Sequence, residues 1–116
     1  MSHRIERVNQ FIRKEMSESI QNLRDPRLDE FIAVTEVQTS PDLKHARVFV
    51  SSIGGKEQEA KLLDVLNAAA GHLRSELAHK ATFRHTPELS FHWDNSIEQG
   101  DRIMRLLDQV SEEQEH

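Results

Sequence analysis

Ile5, Val8, Ile12, Met16, Ile20 and Leu23 recur at intervals of three and four, which sets them on one face of a helix from about residue 3 to 23, with charge on the other face. Arg24-Asp25-Pro26-Arg27 stops this helix, because Pro26 biases Asp25 away from helical geometry and has no amide for a further turn. From Phe31 to Thr39 the chain is β-branched and largely apolar, and from Ala46 to Ser52 the side chains Ala46, Val48 and Val50 alternate with Arg47, Phe49 and Ser51. Ser40-Pro41-Asp42 between the two runs suits a tight reversal, so the pattern predicts an antiparallel hairpin, closed by Gly54-Gly55.

Leu62, Leu66, Ala69, Leu73 and Leu77 return to helical spacing, with Ala68-Ala69-Ala70-Gly71 at the centre of the segment. A glycine in a helix interior costs about 1 kcal/mol relative to alanine, which points to a kink or to close approach by another backbone. Two readings stay open on these residues: two helices meeting near Gly71, or one helix packed closely on the sheet through its alanines. After Thr86-Pro87, Leu89, Phe91 and Trp93 alternate with Ser90, His92 and Asp94 and predict a third strand with one apolar face. Ser96 and Gln99 match a capping box ahead of a final helix carrying Ile97, Ile103, Leu106, Leu107 and Val110. The order predicts an α+β domain over residues 1–110, helices on one face of a three-stranded sheet, and a short acidic tail at 111–116.

A chain of 116 residues suits one domain. It holds no apolar run near the roughly 18 residues that cross a bilayer and opens without the apolar stretch of a secretory signal, so we expect a soluble cytoplasmic protein with no membrane partner. The absence of cysteine excludes disulfides, thiolate metal sites and thiol nucleophiles. A formal charge of −5 argues against a chain that coats nucleic acid by overall basicity, but the charge is unevenly placed. Residues 1–27 and 61–85 are each net +2, whereas residues 88–116 carry eight acids against Arg102 and Arg105.

Seven histidines raise a metal reading for His72, His79, His85 and His92, yet none forms a close ligand pair, and His72 and His79 are too far apart along a helix to share one ion. No nucleophile elbow or phosphate-binding P-loop is present, and Asp94 is expected to cap the final helix rather than to join Glu98 in a carboxylate pair. The positive signal is Ala69-Ala70-Gly71 with Arg74 and Lys80 beyond it, since small side chains admit a phosphate backbone to main-chain amides at a helix start and cations attract it. The alternative there is close packing of small residues beside solvated cations, and it applies equally to Arg4, Arg7, Arg24 and Arg27.

Arg4-Ile5-Glu6-Arg7-Val8, Arg24-Asp25-Pro26-Arg27-Leu28, the run Ser40 to Ser51, Pro87-Glu88-Leu89-Ser90-Phe91 and Asp94 to Gly100 resemble, in order and spacing, successive blocks of the ribosome-binding factor A family. The resemblance covers roughly residues 4–107 and departs at Thr86, where an apolar residue is expected before Pro87. It implies a type II KH-like domain plus a C-terminal helix, with Ala69-Ala70-Gly71 matching the family's Ala-x-Gly kink in place of a Gly-x-x-Gly clamp. It further implies a factor that binds 16S rRNA, assists late maturation of the small (30S) subunit and supports growth in the cold, and with the residue reading above we expect a non-catalytic monomer with no cofactor, metal or small-molecule substrate. The RNA contacts expected are the kink, on the resemblance, and Arg74, Lys80, Arg24, Arg27, Arg4 and Arg7 as phosphate contacts, on their charge. Two other functions remain to be weighed: a protein-interaction module reaching ribosomes through a basic partner of the acidic C-terminal third, and a metal-dependent ribonuclease using the histidines.

Overall fold

The computed structural model describes residues 3–23, 32–52, 55–80 and 85–95. Helix α1 runs His3–Gln21 and buries Ile12, Met16 and Ile20, the centre of the predicted stripe. Its last turn closes through Asn22 N donating to Glu18 O (3.1 Å) and Leu23 N to Ile20 O (3.1 Å). Strands β1 (Ile32–Thr39) and β2 (His45–Ser52) pair antiparallel from Ile32 opposite Ser52 to Thr39 opposite Ala46. The register shifts between Val34 and Glu36, so Thr35 is the extra residue of a bulge.

A short 3-10 turn (Gly55–Gln58) leads into α2 (Glu59–Ala68), α3 (Ala70–Lys80) and β3 (Glu88–Trp93). Strand β3 joins the far side of β2 in parallel, His45 opposite Glu88 through Val50 opposite Trp93, giving a sheet ordered β1-β2-β3. A parallel pair needs a long crossover, which α2 and α3 provide. One sheet face carries Val34, Val37, Ala46, Val48, Val50, Leu89, Phe91 and Trp93, and all three helices pack on it with Leu62, Leu66, Leu73 and Leu77 in the same core.

Polar side chains fix the helices on that face. Asn9 Oδ1 on α1 accepts from Thr39 N (2.9 Å) and Thr39 Oγ1 (2.5 Å). Asn67 on α2 reaches the outer edge of β3, accepting from Phe91 N (3.1 Å) and donating to Phe91 O (3.5 Å), so it occupies a strand's place beside an edge that no strand of the described residues covers. Behind the sheet, Thr35 Oγ1 donates to Asp94 Oδ2 and tethers the bulge of β1 to the end of β3.

The crossover is two helices, broken at Ala69, whose φ of −89° and ψ of 1° leave the helical region. Ala69 N still donates to Val65 O (3.0 Å), and Ala69 O already accepts from Leu73 N (2.9 Å), so the break loses little hydrogen bonding. Ala69 and Ala70 are half-buried against the core, so the alanines also pack closely, as the uninterrupted-helix reading supposed. Gly71 differs from expectation: it is exposed, and a Cβ built on it meets nothing within 4 Å, so no other backbone of the described chain approaches it. The element order, with its kinked crossover and parallel last strand, is the type II KH-like arrangement. The helix expected from Ser96 and the tail at 111–116 lie outside the described residues.

Candidate nucleic-acid interface

Where the first turns of α1, the β1–β2 turn, Arg74 of α3 and the segment entering β3 meet, they enclose a groove of about 910 Å³, within the volume range of ligand sites. Helix α1 contributes Arg4 and Val8, and the turn contributes Asp42, Leu43, Lys44 and His45. Opposite them stand Arg74 and the run His85, Thr86, Pro87 and Glu88.

The walls are joined by hydrogen bonds. Arg74 donates from Nε (3.2 Å) and Nη2 (2.7 Å) to Thr86 O, tying α3 to the approach to β3 and using two of a guanidinium's five N–H donors. Glu88 N donates to Lys44 O (2.8 Å), tying that approach to the turn. Within the turn, Ser40 N donates to His45 O (2.8 Å) and Leu43 N to Ser40 O (2.8 Å). Asp42 Oδ1 accepts from Ser40 Oγ (2.6 Å) and Lys44 N (3.0 Å). These bonds, the Ser40 hydroxyl first, hold the Asp42 carboxyl below its ordinary value of 3.8 and keep it anionic. The turn holds Leu43 at a φ of 61°, the left-handed region that a non-glycine residue occupies at a cost of about 1–2 kcal/mol. Among the described residues no other non-glycine does so.

A smaller depression of about 390 Å³, lined by Gly71, Arg74, Ser75, Ala78, His85 and Thr86, shares its last two residues and Arg74 with the groove. The structure therefore brings Arg4, Arg74 and Gly71 onto one continuous surface. Ala69 and Ala70 lie behind it, packed on the core. Arg7 is exposed on α1 but does not line the groove. Lys80 is engaged elsewhere: its Nζ lies 3.3 Å from Glu15 Oε2, a buried carboxylate oxygen that makes an ion pair there without hydrogen-bond alignment. Arg24 and Arg27 lie outside the described residues.

Sequence reasoning missed Lys44 and His45 as groove residues, and it weighed His85 only as a metal ligand. Their signal is Lys44-His45, one residue after the Ser40-Pro41-Asp42 reversal, and it becomes legible only once β3 is known to dock beside that turn. The other histidines weighed as metal ligands, His72, His79 and His92, have separate partners. His72 Nε2 lies 2.9 Å from Glu76 Oε1, His79 Nδ1 lies 2.7 Å from Ser75 O, and His92 bonds Ser90 Oγ (2.9 Å) while its ring sits 5.5 Å from that of Phe49. Among the described residues no three His, Asp or Glu side chains gather as a metal site, and no helix is long and apolar enough to cross a membrane. Asp94 accepts from Thr35, and the helix it is expected to cap lies outside the described residues.

Residues 4–107 match the family model for ribosome-binding factor A. The chain is 44% identical over 115 residues to a ribosome-binding factor A of Dehalococcoides mccartyi, covering 98% of each protein. Its fold is similar to the crystal structure of ribosome-binding factor A from Thermus thermophilus, with a TM-score of 0.67 and 28% identity over 76% of this chain and 93% of that one. It is also similar, with a TM-score of 0.64 and 27% identity over 83% of this chain and 97% of the other, to a homology model of the Thermus thermophilus factor as fitted into a cryo-electron-microscopy map of a 30S–RbfA complex.

Proposed function

From the premise that the chain belongs to the ribosome-binding factor A family, we propose that it binds 16S rRNA on the small (30S) subunit and assists late maturation there, without catalysis and as a cytoplasmic monomer. The observation that carries the reading is the joined surface running from Arg4 and Lys44 through Arg74 to the depression beside Gly71. Its cations supply long-range attraction to phosphate, and exposed Gly71, with open space where a side chain would stand, leaves room for a backbone to approach the first turn of α3. Arg7 extends the charge along α1. Arg24 and Arg27 are assigned the same role on sequence alone. Lys80 joins only if RNA displaces Glu15 from it. The Thermus thermophilus relative fitted into a map of a 30S complex supports the choice of subunit.

The test is a salt titration of binding to purified 30S subunits. With about four phosphate contacts, affinity should fall roughly a hundredfold between about 50 and 200 mM salt, and Arg4→Ala should flatten the log–log slope by about 0.7–0.9. No association at low salt would sink the proposal. Binding to whole subunits but not to deproteinised 16S rRNA would move the contact to a ribosomal protein.

A further inference from the structure

We infer that the groove between α1 and the β1–β2 turn is a seat for an unpaired nucleotide of RNA, with Leu43 beneath the base and Lys44, Arg4 and Arg74 around its phosphates. The inference rests on the rRNA-binding reading and names what that surface takes.

The argument starts from the mixture of chemistry in the groove. A site for duplex backbone needs cations and amides spread over a long footprint, since double-stranded RNA is read across roughly 16 base pairs by shape and phosphate contact. This groove is short and walled, and it has apolar side chains inside it, half-buried Leu43 and Val8. Apolar surface of this kind gains nothing from phosphate, but it excludes water from the face of a base that has left its stack. Around it stand Arg4, Lys44 and Arg74, and the imidazoles of His45 and His85, all exposed.

Two carboxylates, Asp42 and Glu88, also line the groove, and the three cations Arg4, Lys44 and Arg74 outnumber them. Asp42 is held by the Ser40 hydroxyl and Lys44 N, and Glu88 Oε2 lies 3.5 Å from His45 Nδ1. Arg74 is anchored on Thr86 O with three donors left for another acceptor, a fixed fork suited to phosphate. The occupant that matches an apolar floor under a cationic rim at this size is a single-stranded nucleotide. A purely acidic peptide would use the rim and leave the floor idle.

Leu43→Asn isolates the claim, because asparagine accepts the left-handed backbone that leucine resists and removes the apolar floor without disturbing the turn. The full chain should bind a labelled oligouridine more tightly than an RNA duplex of equal length. Leu43→Asn should weaken the oligouridine by about tenfold, leave the duplex unchanged, and melt no lower than the unaltered protein. Equal binding of single strand and duplex, unchanged oligouridine affinity in Leu43→Asn, or displacement of oligouridine by polyglutamate as readily as by unlabelled oligouridine would each overturn the inference. Binding of 30S subunits, measured in parallel, reads the broader proposal separately: if subunits bind normally while Leu43→Asn changes nothing, only the nucleotide seat falls.

Discussion

Lys80 and Glu15 join α3 to α1 across the back of the crossover, and their environments are unequal. The Glu15 side chain is 12% exposed and that of Lys80 47%. A carboxylate that has lost most of its water depends on the nearby ammonium, so Lys80→Ala should destabilise the domain by about 1 kcal/mol, below the cost at a fully buried pair because water still reaches the lysine. Adding Glu15→Gln should recover most of the loss, and thermal melts of the single and double variants check both. Melts unchanged by Lys80→Ala would show the pair contributes nothing and free Lys80 for RNA. From sequence alone Lys80 read as a free cation beyond the kink, because nothing in the chain's order announces that Glu15, on the predicted edge of another helix, will be buried beside it. Leu43 was hidden for a related reason: a leucine after Ser40-Pro41-Asp42 gives no sign of a positive φ until the turn's hydrogen bonds are known.

Among the elements, the kink is the one where the proposed RNA contact and the stability of the fold can be set against each other. Gly71 stands in the first turn of α3 with empty space where a side chain would go. Gly71→Ala should therefore stabilise the fold, by about 0.5–1 kcal/mol from backbone entropy, and raise the melting temperature by a few degrees. If RNA backbone rests on this turn, the added methyl group will obstruct it, and affinity for 30S subunits should fall while stability rises. An affinity unmoved by a stabilising substitution would remove the glycine from the interface. Each strand and helix here was legible as an element, because alternation at Leu89, Phe91 and Trp93 and the three-and-four spacing of α1 leave little choice of buried face. The position of the break was not. Leu62, Leu66, Ala69, Leu73 and Leu77 fit one straight helix as well as two, and the family resemblance, not periodicity, favoured the kink. Asn67 was likewise silent, since an exposed asparagine late in a helix carries no mark of the strand edge it will bracket.

At the scale of the whole molecule, a net charge of −5 coexists with a basic groove because the acids concentrate after residue 88 while the groove draws its cations from Arg4, Lys44 and Arg74. Composition showed the asymmetry along the chain but could not show which basic segments would converge. That depends on β3 entering parallel to β2, which sets His85 to Glu88 beside the β1–β2 turn. The same pairing orders the assembly of the domain. A hairpin with a short turn closes in about 1–10 μs, whereas a strand that returns over two helices must first meet the entropy of a much longer loop. Pulse-labelled hydrogen exchange during refolding should find the β1–β2 amides protected before those of Leu89 to Trp93, and simultaneous protection would contradict that sequence of events.

The tie from Glu88 N to Lys44 O makes the groove a product of that final closure. A chain still emerging or half-folded has the arginines and the lysine but not the walls that gather them, and it should be blind to its target. An occupant of the groove, as proposed, would hold the last described strand in place, so that recognition and completion of the fold would reinforce one another.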